Sequence, residues 1–229
     1  MGFAIDGKLR VFATPKNMSK LYSGAIPRGD CWPGRFDDSS EIADTEAHVA
    51  SASPEYYILR YAGLNDLTSQ VKALLQTETW VSGSPPVRHR NPCLEVLELN
   101  SHANRSRAGG ICDDNLQQFA AAVESLRYCD GLAIYLSGCN TGLRGGIAEK
   151  LALSIPSAVR RRQYRCVVFG ARGYLSGTNA GKNSEVSKTY EAEDGKEHAA
   201  LGPDAANAKR DPSSPQDESY QGYKGPNSA

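Results

Sequence analysis

Two residues capable of nucleophilic chemistry follow apolar runs that have the composition of buried strands. His102 comes shortly after the run from Cys93 to Leu99, and Cys139 comes shortly after the run from Leu132 to Leu136. An ordinary cysteine thiol has a pKa near ~8.5, and a neighbouring imidazole both favours the thiolate and supplies a proton to the leaving group. A histidine and a cysteine brought together in this way would form a cysteine-hydrolase dyad.

The elements around these residues alternate between strand and helix. Runs rich in branched and aromatic residues predict strands over 56–61, 93–99, 132–136 and 166–169. Apolar residues at helical spacing predict three helices: one capped by Asn65 or Asp66 (Leu67, Val71, Leu74, Leu75), one capped by Asp113 (Leu116, Phe119, Ala120, Val123, Leu126) and a short one (Ile147, Leu151, Ile155). This order predicts an α/β fold with a mostly parallel sheet and helices on both faces, a three-layer sandwich. An early strand, Leu9 to Ala13, is expected at a sheet edge.

This predicted topology places both reactive residues at one edge of the sheet. Ligands and catalytic groups of open α/β sheets gather beyond the carboxyl ends of the strands, and strands joined by one crossover helix are usually neighbours. We therefore expect His102 and Cys139 to lie close together. Gly138 and Gly142 allow a sharp turn around the cysteine. Backbone N–H groups at Cys139 and just after His102 are candidate donors to an oxyanion.

The residues around the cysteine resemble those of a known peptidase group. Leu136-Ser137-Gly138-Cys139-Asn140-Thr141-Gly142, with His102 after the preceding strand, is similar to the caspase-like cysteine peptidases of clan CD. The closest resemblance is to the bacterial CHAT domains, whose nucleophile segment reads like LSACxTG. A looser resemblance extends to the self-processing cysteine protease domains of large bacterial toxins. The resemblance to caspase-like peptidases covers about half of the chain, roughly 56–178. It implies the caspase-hemoglobinase-like form of the three-layer sandwich.

The resemblance implies a role for each matching residue. His102 would be the general base or acid and Cys139 the nucleophile, with the backbone around Ala103, Gly138 and Cys139 forming the oxyanion site. Asn140 and the segment 168–174, which contains Arg172 and Gly173, would border the substrate cleft. Arg172 would favour an acidic residue before the scissile bond, whereas Asp113 and Asp114 would favour a basic one. The sequence departs from the family at Ala103, where such families usually have glycine.

Composition divides the chain into one domain and a polar tail. Residues 1–180 are predicted to form a single domain, with a core at about 56–178 and a loop-rich part at 1–55. Residues 181–229 contain only Val186 and Leu201 as large aliphatic residues. Such a segment buries too little apolar area to offset its ordering entropy, and we expect it to be disordered.

The charge balance and the cysteines indicate which binding partners and which cellular compartment to expect. Lys+Arg and Asp+Glu are 26 each, which argues against nucleic acid as a partner, and no apolar stretch has membrane-spanning length. The six cysteines show no paired spacing, so we expect reduced thiols in the cytoplasm, or export without a cleaved signal peptide. The predicted partner is a protein or peptide substrate, with a regulatory protein left open.

Three functions remain open on the sequence alone. The first is a cysteine endopeptidase that works through an acyl-enzyme and needs no cofactor and no metal. The second is a non-catalytic binding module on the same caspase-like scaffold. The third is a flavodoxin-like domain that binds a small ligand in the same strand-end crevice.

Overall fold

The structure is a computed structural model of the 229-residue chain. It describes residues 7–16, 31, 39–76, 79–80, 88–89, 92–155, 165–171, 173, 175–176, 180, 185–186, 189–191, 197–199 and 220–224.

The described residues form helices and strands in the predicted alternation. The helices are α1 (Ser39–Ala52), α2 (Leu64–Gln76), α3 (Leu116–Glu124) and α4 (Ile147–Ser154). The strands are β1 (Lys8–Pro15), β2 (Tyr56–Tyr61), β3 (Thr79–Trp80), β4 (Arg88–His89), β5 (Cys93–Asn100), β6 (Ala103–Asn104), β7 (Arg107–Ala108), β8 (Tyr128–Ser137), β9 (Arg165–Ala171), β10 (Leu175–Ser176), β11 (Glu185–Val186), β12 (Thr189–Glu191), β13 (Glu197–Ala199) and β14 (Tyr220–Lys224).

Six strands form the central sheet in the order β14-β9-β8-β5-β1-β2. The strands from β9 to β2 run parallel, and β14 pairs antiparallel with β9. The prediction of a mostly parallel α/β sheet is therefore confirmed. The shorter strands form four separate two-stranded ribbons.

Each face of the sheet buries its own set of apolar side chains. On one face, residues of β5 and β8 such as Leu97 and Ile134 pack with Leu67 of α2, Phe119 of α3 and Leu151 of α4 in one continuous cluster. Full burial of each such side chain stabilises the fold by about 1.5–3 kcal/mol.

The opposite face carries two smaller clusters. One packs Phe12 and Tyr56 against Val49 of α1, and the other contains a stacked pair, Tyr135 and Phe169, with ring centroids 4.6 Å apart. Helices thus lie on both faces, as predicted for a three-layer sandwich.

Two predictions about the N-terminal part are wrong. The early strand is not at an edge, because β1 lies between β5 and β2 and pairs with both. The part at 1–55 was expected to be rich in loops, but it contains α1, which buries Ile42 and Val49. The helix was missed because only two of its fourteen residues are large and apolar, which is too few to produce a detectable helical pattern.

The start of α3 also differs from the prediction. Asp113 does not cap the helix; its carboxylate instead pairs with Lys150 of α4 at 2.8 Å. The helix begins at Leu116, and Asn115 precedes it, accepting a hydrogen bond from Cys112 N at 3.0 Å. In α2, Asn65 and Asp66 lie inside the first turn, and Asp66 accepts from Ala62 N at 2.8 Å. That backbone hydrogen bond holds the pKa of Asp66 below its usual value.

A strand from the predicted tail joins the sheet. Tyr220–Lys224 (β14) lies in the segment expected to be disordered, yet it forms the edge strand beside β9. The expected boundary at residue 180 therefore misses this strand. Its five residues are polar or aromatic with one glycine, and only pairing with a distant strand identifies them as part of the sheet.

Candidate active site

The carboxyl ends of β5 and β8 lie side by side. Asn100 pairs with Ser137 in register, and beyond this pair Ser101 N donates to Ser137 O at 3.2 Å. His102 and Cys139 each follow two residues after the paired positions. The prediction that the two strands are neighbours is confirmed, and the main chain brings the two reactive residues to the same sheet edge.

The loop that carries His102 is held by a buried tyrosine. After His102 the chain forms the β6–β7 hairpin and returns to Gly109, whose N–H donates to Ser101 Oγ at 2.8 Å. The hydroxyl of Tyr61, on β2, donates to Gly109 O at 3.0 Å. Tyr61 is fully buried, and burial raises the pKa of its hydroxyl above the ordinary value, so it remains a donor. Gly109 has a φ of 57°, a backbone conformation that few other residues adopt readily.

The turn that carries Cys139 is held by hydrogen bonds from the following residues. The hydroxyl of Thr141 is shared between Leu136 O at 2.8 Å and Gly138 O at 3.0 Å. Its oxygen also accepts from Ala171 N at 2.9 Å. Gly142 N donates to Ala171 O at 2.7 Å. The turn is thereby fixed to the carboxyl end of β9.

Two glycines are required by the closeness of these loops. A Cβ at Gly138 would overlap the Cβ of Ala103 and the carbonyl oxygen of Ser101, the residues on either side of His102. A Cβ at Gly142 would overlap the carbonyl oxygen of Gly170 on β9. Neither glycine has a positive φ, so both are required by the close approach of neighbouring chain segments rather than by the sharp turn that was predicted.

Further hydrogen bonds join the histidine loop to the chain after Cys139. Ile147 N, at the start of α4, donates to Arg105 O at 2.7 Å, and Arg105 Nη2 donates to Arg144 O at 2.6 Å. Ala148 N donates to Thr141 O at 3.2 Å. The amino end of α4 therefore holds both loops.

The predicted site residues differ in exposure. His102 is exposed, while Cys139 and Ala103 are half-buried. Gly138, Asn140 and Gly173 are buried, and Gly173 O accepts from Asn140 N at 2.8 Å. Gly138 is not available as an oxyanion donor, because its N–H donates to Leu136 O at 3.0 Å. Arg172 lies outside the described residues.

The cysteines contradict the expectation of six reduced thiols. Cys31 and Cys112 form a disulfide with their Cα atoms 5.2 Å apart, and Cys93 and Cys129 form another with Cα atoms 5.0 Å apart. Sequence separations of 81 and 36 residues concealed both pairs. The second pair joins the amino ends of β5 and β8, opposite the candidate site.

The remaining two cysteines are thiols. Cys166, on β9, is buried in the larger core cluster, and burial raises its pKa to about 12. A thiol with so high a pKa is inert at neutral pH. Cys139 is half-buried and lies in the turn that follows β8.

A buried carboxylate beneath the site was not found from the sequence. Glu98 of β5 is fully buried, accepts from Ser137 Oγ, and accepts from Ala180 N at 2.9 Å. Ser53 Oγ in turn donates to Ala180 O. Glu98 thus ties the last residue of β8 to the chain at residue 180. The sequence signals this carboxylate only by the presence of an acidic residue within the apolar run 93–99.

One cluster in the described residues has the composition of a metal site. The ligand atoms of Cys31, Cys112 and Asp114 lie within 4.8 Å of one another. The two sulfurs are bonded to each other, so they offer no thiolates, and the cluster does not fit the thiolate ligands that zinc prefers.

No described helix combines the length and the apolar character needed to cross a membrane.

The chain matches no protein-family model, no curated protein and no solved structure. The family resemblance therefore remains a prediction.

Proposed function

We propose that this chain is a cysteine endopeptidase in which His102 and Cys139 act as a dyad. The observation that carries the proposal is the pairing of Asn100 with Ser137, which places both residues two positions beyond the same point of a parallel strand pair. Neighbouring strands lie only ~5 Å apart, and this placement supports the proposal that the imidazole of His102 reaches the thiol of Cys139.

The dyad would work in two steps. Cys139 Sγ attacks the scissile carbonyl carbon, and His102 carries the thiol proton to the leaving amine as the C–N bond breaks. The product is a thioester on Cys139. His102 then takes a proton from water, whose oxygen attacks the thioester and releases the acid and the thiol. The backbone N–H groups of Ala103 and Cys139 are the proposed donors to the oxyanion.

Two of the departures from the caspase-like pattern are in contact with each other. The resemblance implies glycine after the histidine and alanine before the cysteine, whereas this chain has Ala103 and Gly138. A Cβ at Gly138 would overlap the Cβ of Ala103. A methyl group at one of these positions thus excludes a methyl group at the other. The carbonyl oxygen of Ser101 would also overlap a Cβ at position 138, so this chain requires glycine there whichever residue follows His102.

The disulfides bear on where the protein acts. Disulfides persist in oxidising compartments and are rare in the cytosol. With two of them in the described residues, we favour the exported alternative over the cytoplasmic one.

The test compares the two thiols. Wild type, Cys139→Ala and Cys166→Ala are each incubated with a diverse peptide library, and products are identified by mass spectrometry. We expect wild type and Cys166→Ala to cleave the same peptides and Cys139→Ala to cleave none, with unchanged circular dichroism. Equal cleavage by Cys139→Ala would overturn the proposal. A wild-type chain that binds peptides without cleaving them would instead identify a binding module.

A further inference from the structure

Asn140, the residue directly after Cys139, has two unusual features. It is the one non-glycine residue with a positive φ (62°) in the described part of the chain. It is also 2% exposed, and its side-chain Oδ1 is buried with no hydrogen-bond partner. Buried polar atoms in folded proteins nearly always have a partner, so each exception requires a cause.

The backbone conformation of Asn140 is imposed by the turn. Its N–H donates to Gly173 O at 2.8 Å, and two residues later Gly142 N donates to Ala171 O at 2.7 Å. Both bonds go to the chain at the end of β9, so the left-handed conformation is fixed on both sides. Asparagine tolerates this conformation better than most residues, but glycine adopts it more readily.

The choice of asparagine therefore works against stability at this position. Glycine would fit the turn and would leave no unsatisfied buried oxygen, which is a destabilising feature. Strained and unsatisfied groups of this kind persist mainly at functional sites. The side chain needs a purpose that the folded chain alone does not supply.

We propose that Asn140 Oδ1 is a hydrogen-bond acceptor for a main-chain N–H of the peptide substrate bound at Cys139. This inference rests on the proposed peptidase function. A neutral carbonyl oxygen matches the neutral amide donor that every extended peptide presents next to its scissile bond. Because Oδ1 is closed to solvent, substrate binding must displace the groups that cover it, and substrate then supplies the missing donor.

The experiment uses a peptide that the wild-type chain cleaves and a series in which each backbone N–H of that peptide is N-methylated in turn. The variants are Asn140→Gly, which suits the φ, and Asn140→Ala, which does not; both lack the acceptor. In wild type, methylation at one position should lower kcat/KM by about 10- to 100-fold, since a buried acceptor then stays unpaired. In both variants the same methylation should change kcat/KM less than about threefold relative to the parent peptide.

Thermal unfolding separates recognition from folding. Asn140→Gly should unfold at or above the wild-type temperature, while Asn140→Ala should unfold below it, although both lose the same discrimination. If Asn140→Gly keeps wild-type kcat/KM and wild-type sensitivity to N-methylation, this inference is overturned and the peptidase proposal stands. If the wild-type chain cleaves no peptide, both are overturned.

Discussion

Strands β5 and β8 carry cysteine chemistry at both ends, and the two ends differ in what surrounds the sulfur. At the amino ends, Cys93 and Cys129 are bonded to each other. At the carboxyl ends, Cys139 is a thiol at a half-buried position, and the residues flanking His102 pack on the adjacent Gly138. One strand pair therefore holds both a covalent link and a candidate nucleophile.

The difference shows that neighbours, rather than residue type, determine what a cysteine does. A second sulfur facing Cys93 across the strand pair makes a structural bond. Deep burial makes Cys166 inert, since its pKa is about 12. Cys139 is the candidate for catalysis because its turn packs closely against the loop that carries the imidazole of His102. The comparison predicts that substitutions at the amino ends and at the carboxyl ends of β5 and β8 have separable effects on stability and on activity.

The largest expected effect is on stability, at the amino ends. Replacing the disulfide by Cys93→Ser with Cys129→Ser opens a loop of 36 residues, and the chain-entropy model gives a loss of about 3–4 kcal/mol in the free energy of unfolding. Chemical denaturation with and without the substitutions measures this. If the proposed peptidase function is correct, the variant should keep kcat/KM within about threefold under native conditions, because the candidate site lies at the other ends of the strands.

A variant with undiminished stability would show that this pair is not bonded in the native protein. A variant that folds but has lost activity would show that the two ends are coupled, and the comparison would fail.

The second effect is at the carboxyl ends and falls on both properties. Gly138→Ala places a methyl group against Ala103 and the carbonyl oxygen of Ser101, which should destabilise the fold by about 1–3 kcal/mol. Displacement of the loops by ~1 Å should also lower kcat/KM about 100-fold. The matched control is Gly131→Ala on β8, the strand that precedes Gly138; a Cβ there meets nothing within 4 Å, and neither quantity should change appreciably.

A double variant sharpens this prediction. Adding Ala103→Gly to Gly138→Ala removes the methyl contact but leaves the contact with the Ser101 oxygen. Part of the lost stability and activity should therefore return. Strictly additive effects of the two substitutions would contradict the contact between positions 103 and 138.

The sheet was predictable from the sequence because its central strands are apolar runs. The runs 93–99 and 132–136 form neighbouring strands with buried leucines, as their composition and the single crossover helix between them predict. The helix α1 was missed because Ile42 and Val49 are its only large apolar residues. The strand β14 was missed because Tyr220–Lys224 has no apolar alternation, and its partner β9 lies far away in the sequence.

The site was predictable only in part. Position after a strand predicted that His102 and Cys139 follow neighbouring strand ends, since topology alone brings such residues together; their role as a catalytic pair remains a proposal. The support around them depends on tertiary contacts that no local pattern contains. Examples are the Tyr61 hydroxyl on Gly109, the buried Glu98 beneath Ser137, and the disulfide between Cys93 and Cys129. The positive φ of Asn140 is likewise a consequence of the turn rather than of the residue.

The most direct test of the dyad is the rate at which Cys139 is alkylated by iodoacetamide at pH 6.5, in wild type and in His102→Ala. Peptide mass spectrometry follows Cys139 and, as an internal control, the buried Cys166. If His102 shares the thiol proton, His102→Ala should lower the rate at Cys139 at least about tenfold, with Cys166 unlabelled in both native proteins. An equal rate in the two proteins would contradict the dyad.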